Sequence, residues 1–164
     1  MKRFKHSLSN YKLLSCDMWQ LVPVCLTEVL PGDTMQHATR ALIRVQPQLA
    51  PVMHPVHVRF HHWYVPTRLV WSDFEDFITG GPDGYNASAR PVINTPAATG
   101  FTVGSLADYL GVPPGVASTP VSAIPFRAYA LIYNEWYRDK DLNTPLTIST
   151  ASGTDTTTST VLLS

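Results

Sequence analysis

Charged side chains are scarce in this chain. Only 15% of its residues are Asp, Glu, Lys or Arg, against roughly a quarter in ordinary soluble domains, and its 12 cations cancel its 12 acids to a formal charge of zero. A chain so balanced lacks, as a whole, the electrostatic footprint of an autonomous nucleic-acid binder; its one basic run, MKRFKH, stands at the very start. Cysteine is nearly absent as well. Cys16 and Cys25 lie nine positions apart, without the paired spacing of a structural zinc site. A disulfide between them is geometrically open, but the N-terminal stretch is polar and lacks the apolar core of a secretory signal, so reduced thiols are expected. No apolar run approaches the ~20 residues needed to cross a bilayer, which points to a protein that is soluble or assembles into something that is.

Proline, by contrast, is plentiful. The 14 prolines, with many Thr, Ser and Val, suit short strands joined by long loops and argue against a helical bundle. A length of 164 residues allows one ordinary core. Residues 1–19 read as an extended basic arm with no sustained period, and residues 20–164 as a single domain. QLVPVCLTEVLPGDT (20–34) predicts an edge strand, interrupted by Pro23 and running into a turn at Pro31-Gly32-Asp33. RALIRV (40–45) and VHVRFHHWYV (56–65) alternate as further strands. WSDFEDFITGG (71–81) predicts a short helix with Ser72 and Glu75 in capping-box spacing and a stop at Gly80-Gly81; SLADYLGVPPG (105–115) repeats that pattern. Residues 80–100 read as a long loop that is functional, lies on another subunit or is mobile. The Thr- and Ser-rich stretch from 147 onward fits a strand with a turn or a disordered tail.

The segment IPFRAYALIYNEWYRD (124–139) is the densest in rings and charge. A sugar or a base would suit such a set, but Pro125 fits a first helical turn, and Phe126, Tyr129, Tyr133, Trp136 and Tyr137 then recur at the steps of one helical face. The spacing predicts a packing stripe over 125–140, with Arg127, Asn134, Glu135 and Arg138 on its flanks and Glu135 paired with Arg138 at i, i+3.

Chemical constellations are thin. His54, His57, His61 and His62 cluster, and His57 and His61 share one face of the predicted strand, yet too far apart to chelate one ion easily, so a packed or interfacial row is expected. Asp73, Glu75 and Asp76 are accounted for by the first turn of a helix, where negative charge complements the dipole; Glu28 has no evident partner. Neither a phosphate loop nor a nucleophile elbow is present, and Asn86-Ala87-Ser88 is a chance sequon without a secretory route. No catalytic residue, cofactor or metal site is assigned.

Four segments taken together, LVPVCLTEVLPGDT, PVMHPVHVRFHHWYVPTRLVW, DYLGVPPG and PFRAYALIYNEWYRD, resemble in order and interval the major capsid proteins of microviruses, the small icosahedral single-stranded DNA bacteriophages, in their gokushovirus-like form. The resemblance spans roughly residues 4–142. It implies a mainly β fold, a viral jelly-roll β-sandwich of eight strands with long loops and short helical insertions, the segment 125–140 being one of them. It also implies a structural, non-enzymatic subunit that self-assembles around a circular single-stranded DNA genome. Partners would be copies of itself, minor spike, pilot or packaging proteins, and DNA held without sequence preference, with no membrane; the location would be the virion, and the host bacterial cytoplasm before assembly. Arg127, Tyr129, Asn134, Glu135, Trp136, Arg138, His57 and His61 become candidates for subunit packing or interfaces, and Lys2, Arg3 and Lys5 for facing DNA. Members of that family run to several hundred residues, so this chain is expected to hold the N-terminal part of the sandwich. A carbohydrate-binding β-sandwich is the rival reading, and a glycosidase using Asp73, Asp76 or Glu135 a more distant one.

Overall fold

The computed structural model describes residues 4–163. They form two compact units: one takes in the chain up to Thr27 and from Val65 onward, the other is Glu28–Tyr64.

In the first unit the core is built on α4 (Ile124–Ile132), which begins at Pro125 in its first turn. Phe126 packs among Ile93, Phe101, Leu106, Ala107, Ala123 and Tyr129, its ring stacked on Phe101 at 6.1 Å. Burial of each large apolar side chain here contributes ~1.5–3 kcal/mol. A π turn, Tyr133–Tyr137, continues α4, closed by the Arg138 N–H on Tyr133 O at 2.8 Å. Five-residue spacing breaks the expected stripe: Phe126 and Tyr129 are buried, but Trp136 is 67% exposed.

Three short helices frame this core. In α3 (Leu106–Tyr109) the Ser105 side chain accepts from the Asp108 N–H, satisfying one orphan donor of the first turn, while Asp108 Oδ2 accepts from the Gly104 N–H ahead of the cap at 2.8 Å. The helix α1 (Thr67–Val70) buries Val70. The next, α2 (Phe74–Thr79), stops at Gly80, whose backbone is left-handed. Its expected cap is absent, because the Ser72 hydroxyl donates to Thr150 O at 3.0 Å instead.

Between the helices, β1 (Val92–Asn94) and β2 (Pro120–Ser122) pair antiparallel with Ile93 opposite Val121. Thr154 adds a parallel bridge to Val92, with the Val92 N–H on Gly153 O at 2.9 Å and the Asp155 N–H on Val92 O at 2.7 Å. The Thr- and Ser-rich tail is therefore an ordered third lane beside β1.

The second unit holds neither helix nor strand, and every residue from Glu28 to Tyr64 is exposed. Its turn forms as expected, with the Asp33 N–H on Leu30 O at 3.1 Å and Gly32 at φ +88. The strands expected at 40–45 and 56–65 do not form, nor does a strand within 20–34. Alternation supplies two-faced segments, but a strand persists only as part of a ladder with another chain segment, and no ladder forms over these residues.

Candidate functional site

Arg127 is the centre of the first unit. The sequence places it on a helix flank; the structure puts it in the core, fully buried. Its Nε donates to Asp155 Oδ2 at 2.8 Å, its Nη1 to Val70 O at 2.9 Å and its Nη2 to Ala151 O at 2.9 Å. One planar fork thus ties α4, α1 and the 149–158 loop together. Asp155 is equally buried and saturated: it also accepts from the Thr158 hydroxyl at 2.6 Å and N–H at 3.0 Å, and from the Thr157 N–H at 3.0 Å. Burial alone pushes this carboxyl up. The bonds from Thr158, Arg127 and Thr157 outweigh it and hold the group at about 2, below the ordinary 3.8. The same loop is fastened a second time, where Trp71 Nε1 donates to Ser152 Oγ at 2.8 Å and Ser152 Oγ to Asp73 Oδ2 at 2.7 Å.

Two tyrosines hold the N-terminal arm. The Tyr129 hydroxyl donates to Leu21 O at 2.8 Å and accepts from the Leu163 N–H at 3.0 Å, while the Leu21 N–H reaches Leu163 O at 2.8 Å. Burial raises this phenol above its ordinary value, the Leu163 N–H opposes the rise and Tyr133 adds to it. The Tyr109 hydroxyl donates to Ser15 O at 2.7 Å, and Lys12 Nζ donates to Tyr109 O. Burial first, then the negative fields of Cys16, Asp108 and Asp17, raise the Tyr109 phenol.

The other candidates separate. Asn134 is spent inside the subunit, its amide paired twice with Leu146, N–H to O at 2.9 Å and O to N–H at 2.8 Å. The expected Glu135 to Arg138 pair is replaced: Arg138 Nη1 donates to Asn143 O at 2.5 Å, because the π turn displaces Arg138 from the i, i+3 position. Glu135 and Trp136 reach the surface. His57 and His61 are exposed and share no strand face. His61 lies edge-on to Trp63 at 6.1 Å, whereas His62 meets His37 at 4.1 Å and Thr39 Oγ1 at 3.0 Å. Lys5 is exposed on the arm; Lys2 and Arg3 lie outside the described residues. Among the carboxylates, Asp73 is engaged by Ser152, and Asp76 and Glu135 are exposed.

No group of three or more metal-binding side chains occurs among the described residues, nor any helix long and apolar enough to cross a membrane. Cys16 and Cys25 are free and exposed. Sequence reasoning missed Asp155, Tyr109 and Trp71 as fasteners. A signal for the first was present: Asp155 is the lone charge from residue 142 to the end, and a lone charge in an ordered, uncharged stretch needs a partner.

A family model described as capsid protein (F protein) matches residues 1–163. The chain is 40% identical over 138 residues to capsid protein VP1 of Bdellovibrio phage phiMH2K, covering 82% of this chain and 26% of that protein. It is 37% identical over 142 residues to capsid protein VP1 of Chlamydia phage 1, covering 82% and 24%. For capsid protein VP1 of Spiroplasma virus 4 the identity is 32% over 144 residues, covering 86% and 26%. The chain spans about a quarter of the length of these relatives.

Proposed function

Because the chain belongs to the capsid protein (F protein) family, we propose that it serves as part of a microvirus major capsid protein, a structural subunit that assembles with copies of itself into an icosahedral shell around a circular single-stranded DNA genome. The observation that carries this reading is the family match along residues 1–163. Chemistry agrees with it: the buried pair Arg127 and Asp155 and the half-buried Asp73, on Ser152, are spent on holding loops in place, which is work suited to a rigid building block rather than to catalysis.

The fold we propose for the whole protein is a jelly-roll sandwich with helical insertions. It is supported by the strand-like alternation of segments 40–45 and 56–65, exposed over 40–45 and 56–64. Glu135, Trp136, His57 and His61, all exposed, are its candidate contacts with neighbouring copies, and minor spike, pilot or packaging proteins would join the same particle. The arm cations Lys2, Arg3 and Lys5 would meet phosphate without sequence preference. The protein would reside in the virion after assembly in the bacterial cytoplasm.

The test is expression of the gene's whole reading frame, followed by sedimentation and electron microscopy of the product. Closed shells of uniform diameter are expected. A product that remains monomeric across a wide range of protein and salt concentration would remove the capsid role.

A further inference from the structure

We infer that Phe4, Tyr11 and Trp19 are base-stacking platforms for single-stranded DNA, an inference that rests on the capsid reading and moves the DNA contact from charge alone to rings. All three are held out in water: Phe4 is 79% exposed, Tyr11 90% and Trp19 90%. None has a place in the core, yet the chain around Tyr11 and Trp19 is anchored, by the Lys12 side chain at Tyr109 O, by Tyr109 at Ser15 O and, just beyond Trp19, by Tyr129 at Leu21 O. The arm is therefore fixed where its main chain meets the helices and open where its rings point.

Trp19 carries a second mark. Its φ is +74, a left-handed conformation that a bulky residue occupies only at a cost and that tends to mark a working position. The turn that contains it is closed by the Asp17 N–H on Gln20 Oε1 at 3.2 Å, and the indole is exposed.

The surrounding charge selects the ligand. The first acid in the sequence is Asp17, and the stretch before it is basic; Lys5 and His6 are exposed beside Phe4, while the Lys12 ammonium is engaged at Tyr109 O. Cations interleaved with open aromatic faces suit a polyanion that carries flat rings of its own. Stacking requires those rings to be unpaired, which favours a single strand over a duplex. Phe4 and Tyr11 are seven positions apart and Tyr11 and Trp19 eight, so their Cα atoms are at most about 25 and 29 Å apart. Each addresses its own base, and three independent contacts of this kind carry no sequence code.

The test measures binding of a fluorescent 30-nucleotide oligo(dT) (about 100 Å if stacked at 3.4 Å per nucleotide) and of a duplex of equal length, by anisotropy across a salt series. Three Leu replacements, Phe4→Leu with Tyr11→Leu and Trp19→Leu, remove the rings and keep apolar bulk at exposed positions. Affinity for oligo(dT) is expected to fall on the order of a hundredfold, with the salt slope unchanged and the preference for single strands lost; restoring a ring as Tyr11→Phe alone should leave binding intact. Lys5→Ala should do the reverse, lowering the slope by about 0.7 and keeping the preference. Unaltered affinity in the triple Leu variant overturns stacking while the phosphate contact stands. A triple variant that changes sedimentation but not DNA affinity gives the rings to a neighbouring copy and equally overturns it. Wild-type chain that binds no DNA removes the DNA part of the capsid reading together with this inference, and leaves self-assembly untouched.

Discussion

Replacing Arg127 by Met should destabilise the first unit by about 4 kcal/mol. The substitution keeps much of the side-chain volume in a site with no solvent exposure but removes three hydrogen bonds at once, to Asp155, Val70 O and Ala151 O. Breaking a buried ion pair from one side costs ~3–5 kcal/mol, and two stripped carbonyls add about 1 kcal/mol or more each. The contributions overlap, since Asp155 keeps its Thr157 and Thr158 donors. Such a loss is a large share of the ~5–15 kcal/mol that holds a domain together. Asp155→Asn should cost less, and the double variant less than the sum of the two, with a coupling of about 2 kcal/mol. Urea unfolding followed by tryptophan fluorescence, to which the buried Trp71 contributes, measures all four proteins. The same pair sets an acid limb. Because the folded carboxyl lies at about 2 and its ordinary value is 3.8, its ionised form contributes stability that is present above pH 3.8 and lost as pH falls through 2. That contribution is on the order of 2 kcal/mol, and Asp155→Asn should flatten the curve in this window. An Arg127→Met loss below about 1 kcal/mol, or strictly additive single variants, would refute the account of Arg127 as the hub.

Three further outcomes follow from other parts of the structure. Tyr129→Phe removes a hydroxyl that serves both Leu21 and Leu163 and should cost about 1–3 kcal/mol, with faster amide hydrogen exchange at both residues together. Gly100→Ala should be severe, because Gly100 has φ +67 and an added Cβ would stand 2.5 Å from Val116 O and 2.6 Å from Val116 N; Gly104→Ala, at φ +77 in open space, should cost only ~1–2 kcal/mol, and equal urea midpoints would contradict the steric argument. Brief trypsin treatment with mass spectrometry should show cuts at Arg40, Arg44 and Arg59, in the wholly exposed second unit, well before any at buried Arg127.

Sequence signals for chain reversal translated directly into structure. Gly32, Gly80 and Gly111 all have the positive φ that their positions require, and Ser105 and Pro125 stand at helix starts, because these effects act within a few residues. Signals that depend on distant partners did not. Arg127 looks like a flank residue because periodicity reads apolarity, and its partner Asp155 is 28 residues further along the chain. The segments 40–45 and 56–65 have the alternation of strands, but alternation fixes which faces a strand offers and not whether a neighbour is there to pair with it. Only three residues long, β1 falls within a loop composition and is held by β2, Gly153 and Asp155 rather than by its own propensity. Among the candidate site residues, the sequence identified which were unusual; the structure spends Arg127, Tyr129, Asn134 and Arg138 on internal hydrogen bonds and places Glu135, Trp136, His57 and His61 at the surface.

The π turn after α4 acts as a phase shifter. In an α-helix each residue advances about 100° around the axis, and a turn closed over five residues rather than four lags by close to one residue. Trp136 is rotated away from the line of Phe126 and Tyr129 by this lag. A single deletion between Tyr133 and Tyr137 would restore the phase and swing the next ring inward, so the same letters, one fewer, would exchange an outward contact for a core residue. What this stretch presents to its surroundings is thus governed by residue count, and insertions or deletions there should change the surface more than most substitutions do.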